Sequence, residues 1–219
     1  MPDEIFVEFL TAAFRNAKDV MRPGAAFYIW HASSKAYQFL QAAANTPIQI
    51  RQTLVWNKNT FSLGRQDYQW KHEPTLYGWK EGAGHYFVDD RTKATVITQK
   101  LPDLKTITGE KAMELLKRIL AAGLQESVLD EKKPTRSTIH PTMKPVALME
   151  KLIRNSTRKG ELVLDLFGGS GSTLIAAERT GRRCRMMEID PYYADAIIHR
   201  WQTETGRKAE KIDGTKDAE

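Results

Sequence analysis

The 219-residue chain has a single cysteine, Cys184, so no internal disulfide framework can form and a reducing cytoplasm is the expected setting. We read Cys184 as a small apolar side chain within a strand. No apolar run approaches the roughly 20 residues needed to span a bilayer. The opening Met1-Pro-Asp-Glu-Ile-Phe lacks a basic region followed by an apolar stretch, so it does not read as a signal peptide. Internal repeats and long low-complexity tracts are also missing. What is present is ordinary for a globular protein: 41% hydrophobic and 27% charged residues, enough to bury a core. A net charge of +6 is compatible with a polyanionic partner without identifying one.

Residues 3–22 place Phe6, Phe9, Ala13, Phe14, Ala17 and Val20 at helical spacing, and Arg22-Pro-Gly stops that helix. Residues 25–30 form a continuous apolar run of strand length, of the kind covered on both faces. Residues 34–44 read as a helix, 50–56 as a strand, and 74–79 as a further short strand. Residues 82–140 read as a peripheral insertion with a basic linker. After it come a helix over 145–156, a buried strand over 162–167, a helix over 172–179, a strand over 183–189 and a helix over 193–203. Alternating strands and helices predict an α/β domain with a mostly parallel sheet, in which ligands bind beyond the carboxyl ends of the strands.

The chemistry-bearing residues fall there. Asp165 closes a hydrophobic strand, and Gly168, Gly169 and Gly171 form a loop that opens into a helix starting with Ser172 and Thr173. Glycines permit a sharp turn and close approach of backbone to ligand, and the helix start offers N–H groups and hydroxyls. Glu188 ends the next strand, at a spacing that lets an acid accept hydrogen bonds from two ribose hydroxyls. A phosphate-cradling loop would need Gly-Lys-Ser/Thr, and no lysine is present. A dinucleotide loop would need a third glycine where Leu174 stands, and Asp165 would repel a pyrophosphate. An acid in that place suits an ammonium or sulfonium. The plainer alternative is an ordinary strand–turn–helix connection.

The run Asp165-Leu-Phe-Gly-Gly-Ser-Gly-Ser-Thr resembles the cofactor signature of DNA adenine-N6 and cytosine-N4 methyltransferases. His140-Pro-Thr-Met-Lys-Pro is similar to the element preceding that signature in the circularly ordered group, where the catalytic half comes first. Gly181-Arg-Arg-Cys-Arg-Met-Met-Glu-Ile-Asp-Pro resembles the ribose-binding strand and following turn. Tyr28-Ile-Trp-His and Gly64-Arg-Gln-Asp-Tyr-Gln-Trp-Lys-His-Glu-Pro extend the likeness over nearly the whole chain, closest to phage- and prophage-type modification methylases of restriction–modification chemistry. The resemblance implies a Rossmann-like fold, S-adenosyl-L-methionine as cofactor and double-stranded DNA as partner. Asp165, Phe167, Gly168, Gly169 and Gly171 would line the methionine and adenosine, and Ser172 and Thr173 would bond its polar end. Glu188 would take the ribose, Asp190 would approach the adenine edge, and Thr142 and Lys144 would lie near the carboxylate. His140 is read as structural. No metal is implied.

The family's Asp/Asn/Ser-Pro-Pro-aromatic loop, which holds the target amine and stacks on the flipped base, is absent from the sequence. Asp190-Pro-Tyr-Tyr has one proline too few and lies on the cofactor side. The resemblance therefore implies an N-terminally truncated chain without catalytic residues of its own, lacking the central strand of its sheet. It would be inactive alone, or complemented by an upstream polypeptide or a homodimer. The division expected is 1–81 as the rest of the catalytic half, 82–139 as a target-recognition insertion, 140–205 as the cofactor half and 206–219 as a charged tail. Arg91, Lys93, Lys100, Lys105, Lys132, Lys133 and Arg136 would meet phosphates. Trp56, Trp70, Tyr77 and Trp79 are candidates for stacking, although most aromatics in strands are core. Trp56-Asn57-Lys58 and Gln69-Trp70-Lys71-His72-Glu73 are the candidates for facing a base.

Overall fold

The computed structural model describes residues 1–89 and 143–212. They form two compact units, residues 1–89 with Lys151–Arg158, and residues 143–150 with 159–212. The expected residues Arg91, Lys93, Lys100, Lys105, Lys132, Lys133, Arg136, His140 and Thr142 lie outside the described residues.

In the first unit, helix α1 (Asp3–Val20) begins with two acids and has Lys18 in its last turn, both favourable to the helix dipole. Its buried stripe of Val7, Leu10 and Phe14 packs on Ala42 and Ala43 of helix α2 (Ala36–Ala44), whose small side chains let the helices approach closely. Phe6 meets Phe39 edge-on at 5.8 Å, and Ile29 joins the same core. Met21 turns to an extended conformation before Pro23, ending α1 where the sequence predicts. The Lys80 ammonium donates to the carbonyls of Lys18 (2.8 Å) and Met21, neutralising orphan acceptors of the last turn.

Strands β1 (Ala26–Trp30), β2 (Ile50–Ser62) and β3 (Trp70–Trp79) pair in the order β1-β3-β2, wholly antiparallel. β2 and β3 are both longer than the sequence reading gives them. Pro74, read as a strand start, sits inside β3. Its carbonyl accepts from the His31 N–H just past the end of β1, so its missing N–H would point to the same side. The His31–Pro74 pair therefore keeps one of its two possible bonds, and the β1–β3 ladder ends at the proline.

The second unit holds β4 (Leu162–Asp165) and β5 (Arg183–Met186), paired in parallel with Leu162 opposite Arg183 and Asp165 opposite Met186. Helix α4 (Ser172–Thr180) packs on β5 and on α5 (Pro191–Thr205). Helix α3 (Val146–Ser156) gives its start to this unit and its end to the first. The α/β class holds, while the mostly parallel sheet expected is, among the described residues, parallel only between β4 and β5. The buried strand expected at 162–167 is a correction: Leu162 and Leu164 are 52% and 39% exposed, because only the Val163/Asp165 face of the strand is half-buried. Among the described residues β1 pairs only with β3 and β4 only with β5, so each has an edge with no strand beside it. No described helix is long and apolar enough to cross a membrane.

Candidate cofactor site

The site is built where β4 ends. Asp165 is the last residue of the strand, and its carboxylate accepts from the Phe167 N–H at 3.0 Å and from the Thr173 hydroxyl. Burial holds its pKa above the usual carboxylate value, against the opposing pull of those two donors and of the Lys144 ammonium. A half-hidden acid in this condition gains from a cation placed beside it.

The chain then closes a tight loop. The Gly171 N–H bonds the Gly168 carbonyl at 2.8 Å, and the Gly168 N–H reaches Met187 O at 2.8 Å. A Cβ at Gly168 would lie 2.8 Å from the Met186 side chain and 3.0 Å from Ile197, so a larger residue there would have to push those side chains aside. Gly171 has φ +73°, the left-handed conformation, and is the N-cap of α4 without a side-chain cap. With glycine at the cap, no N-cap side chain answers the first N–H groups of α4, a setting for a ligand's anionic group.

Glu188 follows β5 and turns back onto the loop. One of its oxygens accepts from the Gly169 N–H (2.6 Å), the other from the N–H groups of Ile189 (2.9 Å) and Asp190 (3.0 Å). This carboxylate latches the glycine loop to the strand end, a role the sequence does not disclose. Around it stand exposed apolar side chains: Phe167, Met187 and, at 98% exposure, Ile189. Ile189 is not among the residues expected from the sequence, and a large apolar side chain this exposed beside the loop makes it a further candidate.

Of the remaining expected residues, Asp190 is the N-cap of α5, accepting from Tyr192 N at 2.9 Å ahead of Pro191 at the first helical position. Ser172 is buried and its hydroxyl donates to the Lys144 carbonyl at 2.7 Å, joining the Lys144 segment to the loop. The stacking and base-facing candidates fare less well. Trp56 and Lys58 are 1% and 5% exposed, with the Lys58 ammonium 2.8 Å from Glu73, so they are interior residues rather than surface readers of a base. Tyr77 is also buried, and Trp79 is stacked on His85 at 3.7 Å. Trp70, Lys71 and His72 are left at the surface of the β2–β3 ribbon.

An acid at the end of one parallel strand, a glycine loop into a helix and a second acid after the neighbouring strand are arranged as in a Rossmann-like methyltransferase fold. TTHA0409 of Thermus thermophilus, solved in complex with S-adenosyl-L-methionine, has the same fold, with a TM-score of 0.63 and 22% identity over 98% of this chain and 84% of that one. The family model described as DNA methylase, of the N6/N4 type, matches residues 3–199, and the chain belongs to that family. Relatives include the type II methyltransferase M2.DpnII of Streptococcus pneumoniae, 26% identical over 90% of this chain and 68% of that protein. Another is the DNA adenine methyltransferase YhdJ of Escherichia coli K12, 22% identical over 96% of this chain and 71% of that protein.

Proposed function

We propose that this DNA methylase takes S-adenosyl-L-methionine at the loop after Asp165 and serves methyl transfer to an exocyclic amine of double-stranded DNA, adenine N6 in preference to cytosine N4. The observation that carries the reading is the half-buried Asp165 carboxylate, held above its usual pKa, at the mouth of a glycine loop whose Gly171 sits in the left-handed conformation at φ +73°. The residues fit that cofactor. Asp165 would face its cationic amino acid, the open N–H groups of α4 with Lys144 and Thr142 its carboxylate, and Glu188 its ribose. Ile189 and Phe167 would cover the flat adenine, a task better suited to them than to Asp190, which already caps α5. Bound there, the cofactor supplies an electrophilic methyl on a sulfonium; the chain's part is to hold and orient it. The name of YhdJ favours adenine. Residues 82–139 would read the target sequence.

A second reading is favoured by the open edges of β1 and β4. A strand bearing the Pro-Pro-aromatic loop, carried by a complementing polypeptide, would have an edge to pair with on either. The test is transfer of labelled methyl to duplex DNA, with nucleoside analysis, by this chain alone and together with a polypeptide bearing that loop. Expected is N6-methyladenine only in the mixture. Activity of the chain alone would remove the second reading, and label in neither amine under either condition would remove the first.

A further inference from the structure

Arg200 projects from α5 onto the glycine loop. Its Nη1 donates to the Ser170 carbonyl at 2.7 Å and lies 3.3 Å from the Ser172 hydroxyl and 3.9 Å from the Met143 sulfur. It forms no ion pair among the described residues, and burial is the main influence on it, lowering its pKa. A half-buried guanidinium spent on neutral acceptors is costly unless the acceptors need holding.

What it holds follows from the bonds. Ser172 Oγ gives its only proton to Lys144 O at 2.7 Å, so Ser170 Oγ, 3.1 Å away, must donate to it, as Arg200 does. One donor site and two lone pairs are then all used, and the Ser172 hydroxyl has nothing left for a ligand. The Ser170 carbonyl belongs to the planar peptide unit whose N–H, on Gly171, bonds Gly168 O at 2.8 Å. Fixing its oxygen from α5 and its hydrogen within the loop sets the plane of that unit, and with it the direction of the first amides of α4.

We propose that Arg200 is a positioning residue: through Ser170 and Ser172 it clasps the glycine loop, and through Ser172 it ties that loop to the Lys144 segment, so that both meet the cofactor preformed. The assignment rests on the cofactor reading above. In this assignment Arg200 acts through Ser170 and Ser172 rather than on the cofactor itself.

The test takes the whole chain as wild type and as R200M, R200Q and R200K, with two readouts: hydrogen exchange of the loop amides without ligand, and calorimetric affinity for S-adenosylmethionine. R200M is expected to exchange residues 168–173 faster by about fivefold or more. It should also bind the cofactor about tenfold more weakly. All three contacts use one nitrogen, so the ammonium of R200K should restore affinity to within about threefold of wild type, which loss of mere helix packing would not allow. R200Q ends two bonds short of the Nη1 position, so it too loses the clasp, and it stands in for R200M should that variant not fold. Unchanged loop exchange in R200M or R200Q overturns the clasp whatever the cofactor does. Faster exchange with unchanged affinity overturns its positioning role. A wild-type chain that binds no cofactor overturns the cofactor reading itself, and is distinguished from the other failures because no variant is involved.

Discussion

Asp165 carries the sharpest expectations at the scale of single residues. Its carboxyl is held protonated to higher pH than an ordinary carboxylate, chiefly by burial. In the ligand-free protein the native state therefore binds its proton more tightly than the unfolded chain. Stability contributed by this group is present at acid pH and is lost as pH rises from the ordinary carboxylate range through the raised value. A cationic ligand favours the ionised form, so affinity for S-adenosylmethionine should rise with pH through the same window. D165N should flatten that rise, weaken binding by about tenfold, and leave the ligand-free protein as stable as wild type or more so. Calorimetric titrations over a pH series, with thermal melts of the same samples, check all three. Cys184 gives a second expectation. Burial, and then the nearby Asp165, push its thiol up to about 12, so it should resist alkylation at neutral pH until the chain is unfolded. The acids and glycines of the site were legible because their spacing is local: loop, helix and the acid after the next strand lie within one stretch of chain. The saturation of Ser172 was not, since its partners Lys144 and Arg200 are each 28 residues away and no local pattern announces them.

Helix and strand boundaries follow simple local chemistry where it operates alone. α1 stops before Pro23, α4 starts at a left-handed glycine, and α5 starts at an Asp-Pro pair. Replacing the α5 cap, D190A, should cost about 1 kcal/mol of stability through the lost bond to Tyr192 N. A fall well beyond that, or cofactor loss out of proportion to it, would indicate a direct ligand role for Asp190. K80M should destabilise α1 by about 1 kcal/mol in a chemical denaturation series, since the two carbonyls it answers lie at the helix end. The misjudged elements are those decided by tertiary surroundings. β3 runs through Pro74, which accepts from His31 where the β1 ladder ends, and Leu162 and Leu164 look buried by composition yet face outward. Trp56 and Lys58 read as surface aromatic and base, and the ion pair with Glu73 shows why a lysine can be interior.

At the scale of the whole molecule, membership of the DNA methylase family accounts for the parallel strand pair with a glycine loop between its first strand and the following helix. The α/β class was readable from the alternation of patterns, and the strand–loop–helix at Asp165 from one glycine run. The antiparallel sheet of β1, β3 and β2 was not, because strand pairing between distant segments leaves no periodic trace. The claim on which the rest depends is that the loop after Asp165 accepts S-adenosylmethionine rather than a phosphate or a dinucleotide. Equilibrium titration of the purified chain measures this directly, using S-adenosylmethionine with S-adenosylhomocysteine, ATP and NAD as competitors. Saturable binding at one site per chain, displaced by S-adenosylhomocysteine and indifferent to ATP and NAD, is the result expected. No saturable binding, or displacement by ATP or NAD as readily as by S-adenosylhomocysteine, would contradict it.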